Sequence, residues 1–171
     1  MMRLFFSILT VIIFCSSNGQ AYVRDYSALE DSWKSESSKA YVSGKTTFDD
    51  DTIIVNLFAI SFEKEYECSP VFKVSFAEGY KYGELLETIP VDSGFLKIFV
   101  DNKLIFDGPV VRIEYSNVTE FGASVSSEML SHIYDGNIIQ VELVGKMDII
   151  FNLKNSKFHI NKAQKSCLQE H

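Results

Sequence analysis

Hydrophobic and polar residues alternate in short runs along most of this chain, and the clearest run lies near its end. In Asn137–Val144 the residues Ile139, Val141 and Leu143 fall on one side and Gln140 and Glu142 on the other. Met147–Leu153 repeats the pattern, with Met147, Ile149, Phe151 and Leu153 opposite Asp148 and Asn152. Period-two alternation marks strands with one buried and one wetter face. Gly145 and Lys146 between them suit a two-residue type II′ turn, since glycine accepts positive φ. Asn155 or Ser156 then offers an N-cap, and Ile160, Ala163, Gln164 and Cys167 follow helical spacing over residues 157–168, with Lys157, Lys162 and Lys165 toward water. The expected unit is a hairpin followed by a helix that lays its apolar edge on the sheet.

The same reading organises the middle of the chain. Thr52–Phe62 is apolar on both sides (Ile53, Val55 and Leu57; Ile54, Phe58 and Ile60) and predicts a central strand covered on both faces. Residues 62–68 could extend it toward an edge, and Ser69-Pro70 punctuates. Phe72, Val74 and Phe76 point inward from the next strand. Residues 95–100 and 103–106 pair across an Asp101-Asn102 turn. Residues 110–116 alternate again, 121–125 form a short strand, and Ser126 caps a helix over 127–134 that stops at Gly136.

The N-terminal part differs. Arg3, the eleven apolar residues Leu4–Phe14 and the small polar tail ending at Ala21 have the form of a secretory signal peptide, too short to span a bilayer. Cleavage after Ala21 fits the small-residue rule, with Gly19 as the alternative. Phe14 before Cys15 argues against a lipobox. Residues 22–45 are polar and serine-rich. They read as a partly ordered arm, with a loose helical turn within 28–39 and Trp33 as a packing anchor or an exposed contact. The domain organisation expected is therefore a leader over 1–21, the arm over 22–45 and one β-rich domain over 46–171. Its fold class is mainly β: an antiparallel sandwich or strongly curled sheet of seven to nine strands with two short helices.

Composition narrows the function classes. Hydrophobic residues make up 46% of the 171, enough for one real core, and aromatics at 13% with three prolines favour sheet. The net charge of −7 argues against nucleic acid and anionic membrane as partners and suits a basic protein. Outside the leader only Cys68 and Cys167 remain. In an exported protein they are expected to bridge; two buried free thiols are the alternative.

Candidate chemistry is sparse. His132, His159 and His171 show no H-x-x-x-H spacing, so no metal or cofactor is expected. There is no G-x-S-x-G or C-x-x-C motif and no catalytic residue is assigned. Asp49-Asp50-Asp51 lacks the alternation and glycine of a calcium loop and reads as a solvated turn. Asn117-Val118-Thr119 is a glycosylation sequon, relevant only in a eukaryotic host. The stretch 77–86 sets Tyr80 and Tyr82 between glycines, flanked by Glu78 and Glu84. It reads as a partner-binding loop or, alternatively, as a hairpin connection. In its order of leader, β-rich body and strand–helix–cysteine the chain resembles many small exported bacterial proteins, a likeness of pattern that carries no residue across. The expected function is that of an exported, non-enzymatic binding protein of the periplasm or cell exterior, in concrete form an inhibitor or immunity protein for a cationic enzyme. A carrier of a small apolar ligand and an unrecognised hydrolase are the alternatives.

Overall fold

A computed structural model describes residues 23–25, 31–47, 53–78, 80–81, 84–85, 94–114, 118–143 and 147–169. The leader, Asp49-Asp50-Asp51 and Asn117 lie outside them. In chain order the strands are β1 (Val23–Asp25), β2 (Lys34–Glu36), β3 (Lys39–Thr47), β4 (Ile53–Glu63), β5 (Ser69–Glu78), β6 (Tyr80–Lys81), β7 (Glu84–Leu85), β8 (Phe95–Val100), β9 (Lys103–Pro109), β10 (Val111–Glu114), β11 (Val118–Ser124), β12 (Ile138–Leu143) and β13 (Met147–Asn152). The helices are α1 (Ser127–Asp135) and α2 (Ser156–Gln169). The fold is a β-sandwich. One sheet runs β1-β13-β12-β8-β9, the other β10-β11-β5-β4-β3-β2, and β6-β7 form a separate ladder. Every pairing is antiparallel except β1 on β13.

The inward alternation builds the core. Ile139, Val141 and Leu143 face it from β12, Leu96, Ile98 and Val100 from β8, and Phe72, Val74 and Phe76 from β5, all buried. Phe58 of β4 joins the two sheets, its ring 6.0 Å from Phe151 of β13 and 6.4 Å from Phe72. Phe72 in turn meets Phe106 edge-on at 5.1 Å. Asp101 and Asn102, at φ of 48° and 67°, form the expected tight turn between β8 and β9. Ser126 caps α1 by accepting from the Met129 amide.

α2 lies on the inner side of β2–β4 through buried Ile160, Ala163 and Cys167. Its tie to α1 is polar: the Ser156 hydroxyl donates to the Ile133 carbonyl at 3.1 Å, and the Tyr134 hydroxyl to Asn161 Oδ1 at 3.0 Å. Cys68 and Cys167 are bridged, closing a loop of 99 residues.

Several expectations are corrected. The polar arm is sheet in its second half, with no helical turn over 31–39: β2 and β3 start before residue 46. Within it Trp33 is the packing anchor expected: it is 2% exposed against Phe58, and its indole N–H donates to the Asn152 carbonyl at 2.7 Å. Lys39–Thr47 can sit there because Ala40 and Val42, both fully buried, supply its inward face. Thirteen strands are described rather than seven to nine, because the arm contributes three and the glycine–tyrosine stretch two. Residues 64–68 do not extend β4 but turn back. β12 and β13 pair as the expected hairpin, and its Gly145-Lys146 turn lies outside the described residues. Asn155, at φ 66°, directly precedes α2 and its carbonyl accepts from the His159 amide at 3.3 Å, while Ser156 is the first helical residue. Asp148 is fully buried rather than on a wet face.

Candidate functional site

The outer face of the six-stranded sheet carries an open groove of about 760 Å³. It originates in the sequence F-E-K-E-Y-E-C. β4 ends at Glu63, and Lys64–Tyr66 make one 3-10 turn. Glu67 and Cys68 then take positive φ, 54° and 56°. The Glu67 amide bonds the Lys64 carbonyl at 3.0 Å and the Cys68 amide the Glu63 carbonyl at 3.1 Å. This compact reversal raises Glu63, Glu65, Tyr66 and Glu67 as a wall beside the sheet. Cys68, at its foot, is held by Cys167.

The floor is built by register. Lys73 of β5 stands opposite Gly122 of β11, and Ser75 opposite Glu120. A Cβ on Gly122 would come within 3.0 Å of the Phe72 carbonyl oxygen, so glycine keeps this part of the floor flat. Val111 of β10 closes the far side. Lys73 Nζ lies 2.9 Å from Glu63 Oε1 and 3.6 Å from Glu120 Oε1. The Ser75 hydroxyl donates to Glu120 Oε2 at 3.1 Å. Burial by itself would lower the Lys73 ammonium. The hydrogen bond to Glu63 and the charges of Glu120 and Glu63 outweigh it and hold the group above the ordinary lysine range.

Lys73 is thus occupied by two carboxylates of the groove, while Glu65 and Glu67 are exposed on the rim. Four glutamates against one lysine make the lining net acidic. Tyr66 is 57% and Val111 67% exposed, and they give the two walls apolar contact area. No histidine or cysteine lines the groove. It can hold a cationic, partly apolar ligand.

The sequence-predicted residues lie elsewhere. Glu78 ends β5, where its backbone pairs with Ile54. Tyr80 pairs with Leu85 and Glu84 with Lys81 in the β6-β7 ladder, and Tyr82 is outside the described residues. The two histidines sit on separate helices. His132 Nε2 is 2.8 Å from Lys103 Nζ and 3.9 Å from Glu128 Oε1. The ammonium can only donate, so this ring nitrogen is the acceptor. His159 Nδ1 is 3.3 Å from the Ser35 hydroxyl, and burial, with Lys162 nearby, pushes its pKa down. Neither ring is hydrogen-bonded to a carboxylate among the described residues, so the Ser35–His159 pair lacks a group to orient the base. Among the described residues no cluster of three potential metal ligands occurs, and no helix is long and apolar enough to cross a membrane.

The groove was missed in the sequence because residues 62–68 read as strand. The available signal was the alternation of Glu63, Glu65 and Glu67 directly before a cysteine, and a lone Lys73 between inward aromatics. No protein-family model, curated protein or solved structure matches the chain.

Proposed function

We propose that this is a non-enzymatic binding protein that takes a basic segment of another protein into the groove over β5 and β11. The observation that carries this reading is the lining itself: Glu65 and Glu67 stand exposed on the rim while Glu63 and Glu120 already neutralise Lys73. A cation entering the groove meets carboxylates that no groove lysine answers. Tyr66 and Val111 add the apolar contact that exposed charge pairs lack, since each such pair is worth only about 0.2–1 kcal/mol. The net charge of −7 steers basic partners toward the surface. The leader-like N-terminus and the bridge agree with work in the periplasm or outside the cell. The concrete form is an inhibitor or immunity-type protein of a cationic enzyme.

The sandwich interior supports a surface role over a carrier role, because Phe58, Phe72, Phe106 and Phe151 meet ring to ring where an internal ligand would sit.

The test is calorimetric titration, at low salt and with the bridge intact, against basic secreted hydrolases and a lysine-rich peptide. E65K/E67K is expected to weaken binding about tenfold or more, two attractions having become repulsions. Glu128→Lys on α1 serves as the remote control and leaves it unchanged. No binding by the wild type, or equal losses in both variants, refutes the reading.

A further inference from the structure

The outward face of α2 is the counterpart of the groove. The helix, Ser156–Gln169, contains Lys157, Lys162 and Lys165 and no acidic residue, in a chain whose net charge is −7. Lys157 is 3.7 Å from Asp135, whereas Lys162 and Lys165 form no ion pair among the described residues. Phe158 and Leu168 are 66% and 55% exposed on the same helix. They are ten residues apart, about 15 Å along the axis. Phe158 borders a surface depression of about 460 Å³ lined also by Asn161, Lys162, Lys165, Ser166 and Gln169. This face is cationic with apolar Phe158 at one end; the groove is anionic with apolar Tyr66 and Val111 on its walls.

The two surfaces cannot meet within one molecule. α2 packs on the inner side of the six-stranded sheet: His159 contacts Ser35, whose register partner is the inward-facing Ala40. The groove opens on the outer side, where Lys73, Ser75 and Glu120 point. Complementary patches on opposite faces pair between copies, head to tail, and such a contact does not close on itself at two subunits.

We infer that the exposed face of α2 seats in the groove of a second copy, so that the chain self-associates through Lys162 and Lys165 on one molecule and Glu65 and Glu67 on the next. This rests on the groove being a site for basic segments, and α2 is one such segment carried by the protein itself. Head-to-tail association would also occupy the groove until a stronger basic partner displaces the neighbouring copy.

The experiment is sedimentation velocity of the purified, oxidised protein from micromolar to near-millimolar concentration, at low and at high salt. The expected result is open-ended association beyond a dimer that high salt abolishes. K162E/K165E and E65K/E67K should each weaken it about tenfold or more. Mixing the two variants should restore it, because the acidic helix of one then faces the basic groove of the other, and the unaltered surfaces still match. A wild type that stays monomeric throughout, or variants that fail to rescue each other, overturns the inference. A monomer that instead binds vesicles rich in phosphatidylglycerol through Lys162 and Lys165 also overturns it, assigning the helix to a lipid surface. The lysine-rich peptide separates the two readings. Groove-dependent peptide binding by a monomeric wild type leaves the binding function standing and removes only self-association. Mutual rescue without binding of any foreign basic ligand does the reverse.

Discussion

Gly136 shows how a single residue can be required for a reason other than its usual one. It follows α1 where a glycine with positive φ often ends a helix, yet its φ is −84°, open to any residue. What it lacks is space. A Cβ would lie 2.2 Å from Val100 Cγ1, 2.9 Å from the His132 carbonyl oxygen and 3.1 Å from Leu153 Cδ1. Gly136→Ala must therefore push the end of α1 away from β8, at a cost of about 1–3 kcal/mol. Gly108→Ala is the contrast, since its nearest neighbour, Phe106 Cζ, is at 3.8 Å. Urea denaturation should show a clear loss for the first and almost none for the second; equal midpoints would disprove the steric account. The helix stop was legible at Gly136, but its cause was not, because Val100 and Leu153 are distant in sequence.

Among the elements, the bridge joins the two that matter most for the surface. It ties the 3-10 turn that walls the groove to the last turn of α2. The cysteine count made the pairing legible, whereas the turn required tertiary structure. A strand reading of residues 62–68 places alternate glutamates on one face. Two successive positive φ values instead reverse the chain and gather them into a wall. With the cysteines 99 positions apart in sequence, C68S/C167S is expected to lower stability by about 4–5 kcal/mol in the chain-entropy model. Urea unfolding of the oxidised protein and the double variant measures it. A difference under about 1 kcal/mol would mean that the bridge hardly constrains the unfolded chain.

For the whole molecule, stability depends on the contact between sheets. Phe58 is fully buried and touches Trp33 and Phe72 as well as Phe151 of the opposite sheet. Phe58→Ala should cost about 3–5 kcal/mol, because relaxation on one side would break packing on the other. Val55→Ala on the same strand, where the side chain is exposed, should cost about 0.5 kcal/mol or less. The two denaturation midpoints decide whether the sandwich depends on this junction; similar losses would show that it does not. The same architecture separates the groove from α2 on opposite faces of one sheet, which sets the direction of any association.

Taken alone, the sequence determined the β character, both helices, the inward residues of β5, β12 and β13, the Asp101-Asn102 turn and the cysteine pair. These depend on local periodicity, on turn chemistry, or on there being only two cysteines to join. Tertiary structure decided that Trp33 belongs to the core, that Asp148 is buried, and that Lys73 meets both Glu63 and Glu120. Alternation tells which side of its own strand a residue occupies. It does not tell which strand lies alongside, and the groove exists only because β11 pairs with β5 in a register that sets Glu120 beside Ser75 and within reach of Lys73.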